Sequence, residues 1–205
     1  FRLPIIKDLN KLDYCICGVP WDGGTTNRPG ARHGPREIRN SSSLVRLYHP
    51  VSLKSPYDDF NVADIGDCPV NPADLQDSLK KIEDFYTDIL RSKTIPISIG
   101  GDHLISLPIL RALAKDKPIG LFQFDSHTDT YDTYFGGFKY THGTPFRRAI
   151  EENLINPKKY IMLGIRGSLY HPDDLTWARA QGATIITIDD YYKIGFENVI
   201  DKIYE

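Results

Sequence analysis

Short apolar runs rich in β-branched residues recur at Tyr14 to Val19, Val62 to Ile65, Ile95 to Ile99, Ile119 to Phe124, Tyr160 to Ile165 and Ala183 to Ile188. Runs of this length read as strands buried on both faces. Between them, helical spacing of apolar positions marks Pro35 to Leu47, Ala73 to Ser92, Leu104 to Lys115, Pro145 to Asn153, Asp173 to Gln181 and Tyr191 to Tyr204. The alternation predicts an α/β chain, a three-layer α-β-α sandwich around a mostly parallel sheet, because parallel strands need crossover helices that cover both faces. No repeat or linker interrupts it, so residues 1–205 read as a single domain, with Tyr48 to Asp59 as a surface loop.

In such a sheet ligands bind beyond the carboxyl ends of the strands. Those positions are rich in Asp, His and Gly: Gly100-Gly101-Asp102-His103, Asp125-Ser126-His127-Thr128-Asp129, Gly164-Ile165-Arg166-Gly167 and Asp189-Asp190. Extended backbone after Phe124 would send Asp125, His127 and Asp129 to one face. Two carboxylates and an imidazole make a fairly hard donor set, suited to Mn²⁺ or Fe²⁺ more than to structural zinc. The other reading is that these residues end a strand and start a turn. His103 follows a glycine pair that lets the chain leave a strand tightly. Asp102 beside it either orients the imidazole or caps a helix beginning near Leu104. Ligand chemistry at two independent strand ends favours a metal centre, of the two-ion kind with a bridging carboxylate. His142 has two open readings. Thr144 and Pro145 make its segment a helix start, while the imidazole itself suits a proton shuttle or substrate partner. The basic loop Asn27 to Arg36 lacks a phosphate-loop pattern and reads as structural or subunit-contacting.

Charge narrows the classes. Lys and Arg number 25 against 27 Asp and Glu, a net −2, which argues against nucleic acid as a partner. No apolar run approaches the roughly 18 residues of a membrane span. Cys15, Cys17 and Cys68 form neither a disulfide framework nor a CxxC pair, which points to a reducing cytoplasm. FRLPIIKDLN has no targeting pattern, and the absence of an initial Met leads us to expect a segment upstream of Phe1.

Several ordered motifs together resemble the ureohydrolase (arginase and agmatinase) superfamily: GVPWDGGTTNRPGARHGPREIR at 18 to 39, GGDH at 100 to 103, FDSHTDTYD at 124 to 132, YTHGTPFRRAIEE at 140 to 152 and GIRG at 164 to 167. The resemblance implies an arginase-like fold and two Mn²⁺ ions per complete active site. It carries the family's metal ligands to His103, Asp125, His127 and Asp129, and its histidine near the substrate to His142. In the family a hydroxide shared by the two ions attacks the guanidinium carbon and releases urea and an amine. Arginases place Asn where this chain has Tyr131; the SHTDTY pattern and GTPFRRA segment are closer to agmatinases and to guanidinobutyrase, guanidinopropionase, proclavaminate amidinohydrolase and guanidine hydrolase. Agmatine, giving urea and putrescine in polyamine biosynthesis, is the expected substrate, and a homotrimer or homohexamer the expected assembly.

The family's later Ser-Phe-Asp-Xaa-Asp strand and the Pro-Gly-Thr-Gly-Thr-Pro-Glu segment after it do not occur here. The expectation is a C-terminally incomplete domain lacking its last strands. Asp189 and Asp190 do not substitute, since adjacent strand residues face opposite ways; they read as a strand end and helix cap. Two further readings stand beside the amidinohydrolase: a non-catalytic binding or assembly protein of the same fold, and a hydrolase using one ion on the four visible ligands.

Overall fold

The computed structural model describes residues 1, 3, 6 and 8–204, and the chain divides into two compact units, Phe1–Leu113 and Ala114–Glu205. In the first unit β1 (Tyr14–Val19), α1 (Gly34–Ser42), α2 (Pro56–Asp59), β2 (Val62–Asp67), α3 (Leu75–Arg91), β3 (Ile95–Gly100) and α4 (Ser106–Leu113) follow in order. The strands form a wholly parallel sheet, β2-β1-β3, with Tyr14 opposite both Val62 and Ile95. Every residue of β1 after Tyr14 is buried, as its unbroken apolar run requires of a central strand.

Helix α3 shows why these residues make this element. Asp74 caps it by accepting from the Asp77 N–H at 3.0 Å, and Leu79, Ile82, Tyr86 and Ile89, spaced three or four apart, are all buried. Burying each such aliphatic side chain stabilises the unit by about 1.5–3 kcal/mol. Ile82→Ala would cost about 2–5 kcal/mol through the cavity it leaves. The Tyr86 hydroxyl donates to Ser98 Oγ at 2.6 Å and so ties α3 to β3. On α1, Arg39 donates to both Asp64 oxygens, at 2.7 and 2.9 Å, and to Gly66 O at 3.1 Å, which fixes the helix over β2.

The second unit runs β4 (Ile119–Phe124), α5 (Pro145–Glu151), β5 (Ile155–Ile165), α6 (Thr176–Gln181), β6 (Thr184–Thr187), α7 (Ile188–Ile194) and α8 (Phe196–Tyr204). Its sheet, β4-β5-β6, is also wholly parallel, with β5 central. Tyr160, Met162, Ile155, Ala149, Phe146, Ala178 and Val199 are buried within this unit. Both units have the expected α/β architecture, and the six expected strands all form.

Three expectations need adjusting. The last helix does not run unbroken from Tyr191 to Tyr204: Gly195, at φ 83°, separates α7 from α8. Helix α7 begins at Ile188, earlier than its apolar spacing suggests, because Thr187 and Asp190 form a reciprocal capping box. Asp189 and Asp190 therefore both lie in the first helical turn and neither ends the strand. Within the Tyr48 to Asp59 loop, Ser55 caps the single turn of α2. No described helix is long and apolar enough to cross a membrane.

Candidate functional site

In the first unit the chain leaves β3 at Gly100 and enters a turn of 3₁₀ helix at His103–Ile105. Asp102 caps that turn: Oδ1 accepts from Leu104 N–H at 2.8 Å and Oδ2 from Gly24 N–H at 2.7 Å. The capping reading of Asp102 is thus realised, and the same carboxylate anchors the 21–24 segment. Gly101, at φ 69°, has no substitute. A Cβ there would lie 2.5 Å from Val19 O and 2.6 Å from Trp21 O.

The basic loop supports this strand end. Gly101 N–H donates to Ala31 O at 3.2 Å and Asp102 N–H to Trp21 O at 2.8 Å. The loop is held in turn by Asp22, which is buried and accepts from Gly30 N–H at 2.7 Å, Arg32 N–H at 3.2 Å and Arg32 Nε at 2.6 Å. The Arg32 guanidinium, helped by the two backbone donors, holds the Asp22 carboxyl down at about 2. These contacts give the loop the structural one of the two roles expected of it, structural or subunit-contacting.

In the second unit the strand stops at Phe124, and extended alternation does not carry on through the Asp-His-Asp run. Asp129 has left-handed backbone, φ 49°, so a turn presents the three side chains, not one strand face. Asp tolerates this conformation better than most residues. Asp125 Oδ1 accepts from His127 N–H at 2.9 Å and Oδ2 from Gln123 Nε2 at 3.0 Å. The His127 ring is half-exposed, with Nδ1 3.0 Å from Ser126 Oγ and 3.9 Å from Asp125 Oδ1. Arg166 and Gly167 N–H both donate to Ser126 O, at 2.9 and 2.7 Å. Gly167 leaves room for the imidazole, since a Cβ there would come within 2.3 Å of His127 Cδ2.

Asp129 is buried, and its carbonyl accepts from Phe146 N–H, at the start of α5, at 3.2 Å. Tyr131 N–H donates to Gly143 O at 3.1 Å. These two bonds join the 125–131 loop to the segment of half-buried His142. Pro145 takes the first turn of α5 as expected, but Thr144 makes no side-chain cap. Its hydroxyl instead braces the turn, accepting from Thr141 N–H at 3.0 Å and lying 2.7 Å from Lys139 O.

Residues with no obvious mark in the sequence pattern complete the second unit's loop. Gln123, buried in β4, reaches Asp125 and also His127 O at 3.2 Å, and the buried Tyr160 hydroxyl donates to Gln123 Oε1. Burial first, then the charges of Asp129 and Asp125, push the Tyr160 hydroxyl up. A glutamine inside the apolar run Ile119 to Phe124 was the one available signal. Tyr131 donates to Asp174 Oδ2 at 3.0 Å, and its ring meets Tyr134 and Tyr170 edge-on.

Within the second unit's loop Asp125, His127 and Asp129 offer carboxylate oxygen and imidazole nitrogen, donor types that suit a hard divalent cation, whereas all three cysteines are buried, free and confined to the first unit.

The family model described as Arginase family matches residues 12–205. The chain belongs to the arginase family. Among curated relatives, this arginase-family chain is 55% identical over 196 residues to guanidinopropionase of Pseudomonas aeruginosa, matching 96% of its own length and 62% of that protein. It is 43% identical to the mitochondrial agmatinase of Gallus gallus, covering 92% of the chain and 56% of the relative. Among solved structures, proclavaminate amidino hydrolase from Streptomyces clavuligerus superposes with a TM-score of 0.90 at 36% identity, covering 98% of this chain and 67% of that one. The chain thus spans about three fifths of the length of the curated relatives it matches.

Proposed function

We propose that this chain carries the ligand loops of a manganese-dependent amidinohydrolase that splits a guanidino compound into urea and an amine, and that both units belong to one ureohydrolase domain. The observation that carries the reading is the ordered set GGDH, FDSHTDTYD and YTHGTP, each on a segment following or preceding a regular element of an arginase-family chain. His103, Asp125, His127 and Asp129 are the proposed Mn²⁺ ligands, two ions per complete site.

The chemistry manganese supplies when bound is Lewis acidity, which makes water nucleophilic near neutral pH and stabilises charge developing at a tetrahedral carbon. Asp125 and Asp129 contribute anionic oxygen that offsets the cations' charge, and His103 and His127 contribute neutral nitrogen. His142, on the segment bonded to the ligand loop, is proposed to bond the substrate and to hand a proton from a ring nitrogen to the departing amine.

Agmatine is the proposed substrate; the SHTDTY and GTPFRRA patterns support the agmatinase-like group as a whole over arginases. The 55% identity to guanidinopropionase, against 43% to the chicken agmatinase, supports a second reading in which the tail is a short carboxylate. Free buried thiols are consistent with a reducing compartment, and we propose the cytoplasm. A homotrimer or homohexamer is the proposed assembly, measurable by light scattering. The function is tested by urea release from the manganese-loaded protein with agmatine, 3-guanidinopropionate, 4-guanidinobutyrate, arginine and guanidine, using His127→Ala as blank. Urea from one ω-guanidino substrate, absent in the variant, is the expected result. Equal urea from protein and variant, or none from any substrate even with the family's Ser-Phe-Asp-Xaa-Asp segment restored, would refute it.

A further inference from the structure

Gln123 and Tyr160 lie one layer behind the ligand loop, in the second unit, and the direction of their hydrogen bonds is set by chemistry. Gln123 Nε2 faces a carboxylate oxygen of Asp125 at 3.0 Å and the His127 carbonyl at 3.2 Å, both of which only accept. The amide nitrogen must therefore point at the loop, leaving Oε1 turned away from it. The Tyr160 hydroxyl then has to donate to Oε1, as it does. Gln123 is 5% exposed and Tyr160 0%. In such a site every lost partner leaves a polar atom stranded, so the chain of donors runs one way, from tyrosine to glutamine to the loop.

We propose that Gln123 and Tyr160 are a buried positioning pair that holds the Asp125 carboxylate and the His127 backbone ready to receive a divalent cation. Gln123 clamps the loop at two points, Asp125 and His127, two residues apart in sequence, and Tyr160 fixes the amide against rotation. The proposal rests on the metal reading of these ligands. Groups of this kind, bonded to a ligand and not to the ion, typically change metal affinity by about 10- to 100-fold when removed.

The test is Mn²⁺ binding by the intact protein, read from the loss of the free-ion electron paramagnetic resonance signal, for wild type, Asp125→Ala, Gln123→Met, Tyr160→Phe and the double variant. Gln123→Met keeps the volume and removes both donors; Tyr160→Phe removes only the hydroxyl and guards against a misfolded Gln123 variant. We expect Gln123→Met to weaken binding by about 10- to 100-fold and Tyr160→Phe by less. The double variant should match Gln123→Met, because Tyr160 acts through the amide. A purely structural role would lower the metal-free melting temperature without this pattern of coupling. Binding within twofold of wild type in both single variants, with Asp125→Ala defective, would overturn the pair while leaving the metal reading intact. Additive losses in the double variant would overturn the relay. If wild type binds no Mn²⁺, or Asp125→Ala binds as wild type does, the metal reading falls and the positioning pair with it.

Discussion

Asp22→Asn tests whether the basic loop is held by charge. The Asp22 side chain is fully shielded from solvent, and its carboxyl sits at about 2 in place of an ordinary 3.8. A difference of almost two pH units, at 1.36 kcal/mol each, corresponds to about 2 kcal/mol of stability from the ionised form. The folded value is depressed, so this stability is fully present above pH 3.8 and is lost as pH falls towards 2. Asn removes the charge and turns a donor towards Gly30 N–H or Arg32, so at neutral pH the loss should be about 2–3 kcal/mol. Urea denaturation at pH 7 and pH 5 is the assay. The deficit of the variant should be the same at both, because both lie above the window in which Asp22 titrates. A deficit under about 0.5 kcal/mol at pH 7, or one that halves by pH 5, would show that Asp22 is not a strongly held carboxylate. The effect should reach the strand end bearing His103, since Ala31 O in this loop accepts from Gly101 N–H.

Gly167→Ala should impair Mn²⁺ binding with little change in melting temperature, because the new Cβ displaces the His127 ring, which has solvent to move into; unchanged affinity in a titration would contradict this. Tyr131→Phe should cost about 1–2 kcal/mol in denaturant unfolding by removing the bond to Asp174. It should also delete a phenol titrating at about 12, where burial, followed by Asp174, has pushed it; in an ultraviolet titration, loss of a phenol that titrates at the ordinary 10 would count against the bond. All three thiols are buried, with Cys68 raised to about 12 by burial. A thiol reagent at pH 8 should therefore find none in the native protein and three in guanidinium chloride, and rapid stoichiometric labelling of the native state would refute that.

What could be read directly was whatever depends on local period. The apolar run Ile119 to Phe124 is strand β4 residue for residue, and Tyr14 to Val19 is β1. The expected start of β5 at Tyr160 is where its regular ladder against Leu121 begins; the strand itself reaches back to Ile155 through an irregularity. Pairing of that kind depends on the partner strand and leaves no periodic trace. Motif residues pointed to His103, Asp125, His127, Asp129 and His142, while the left-handed turn at Asp129 depends on one residue's backbone angles. Gln123 escaped notice for a related reason: one polar residue in an apolar run says that a partner exists, not which one.

The left-handed backbone at Asp129 also restricts what mutation can explore there. Gly and Asn adopt that conformation readily, whereas Ala or Glu would add about 1 kcal/mol or more of strain to whatever the lost carboxylate costs. Relatives that have lost this carboxylate should therefore carry Asn or Gly at the equivalent position. For the same reason Asp129→Asn, not Asp129→Ala, separates the carboxylate's chemistry from the shape of the loop that presents it.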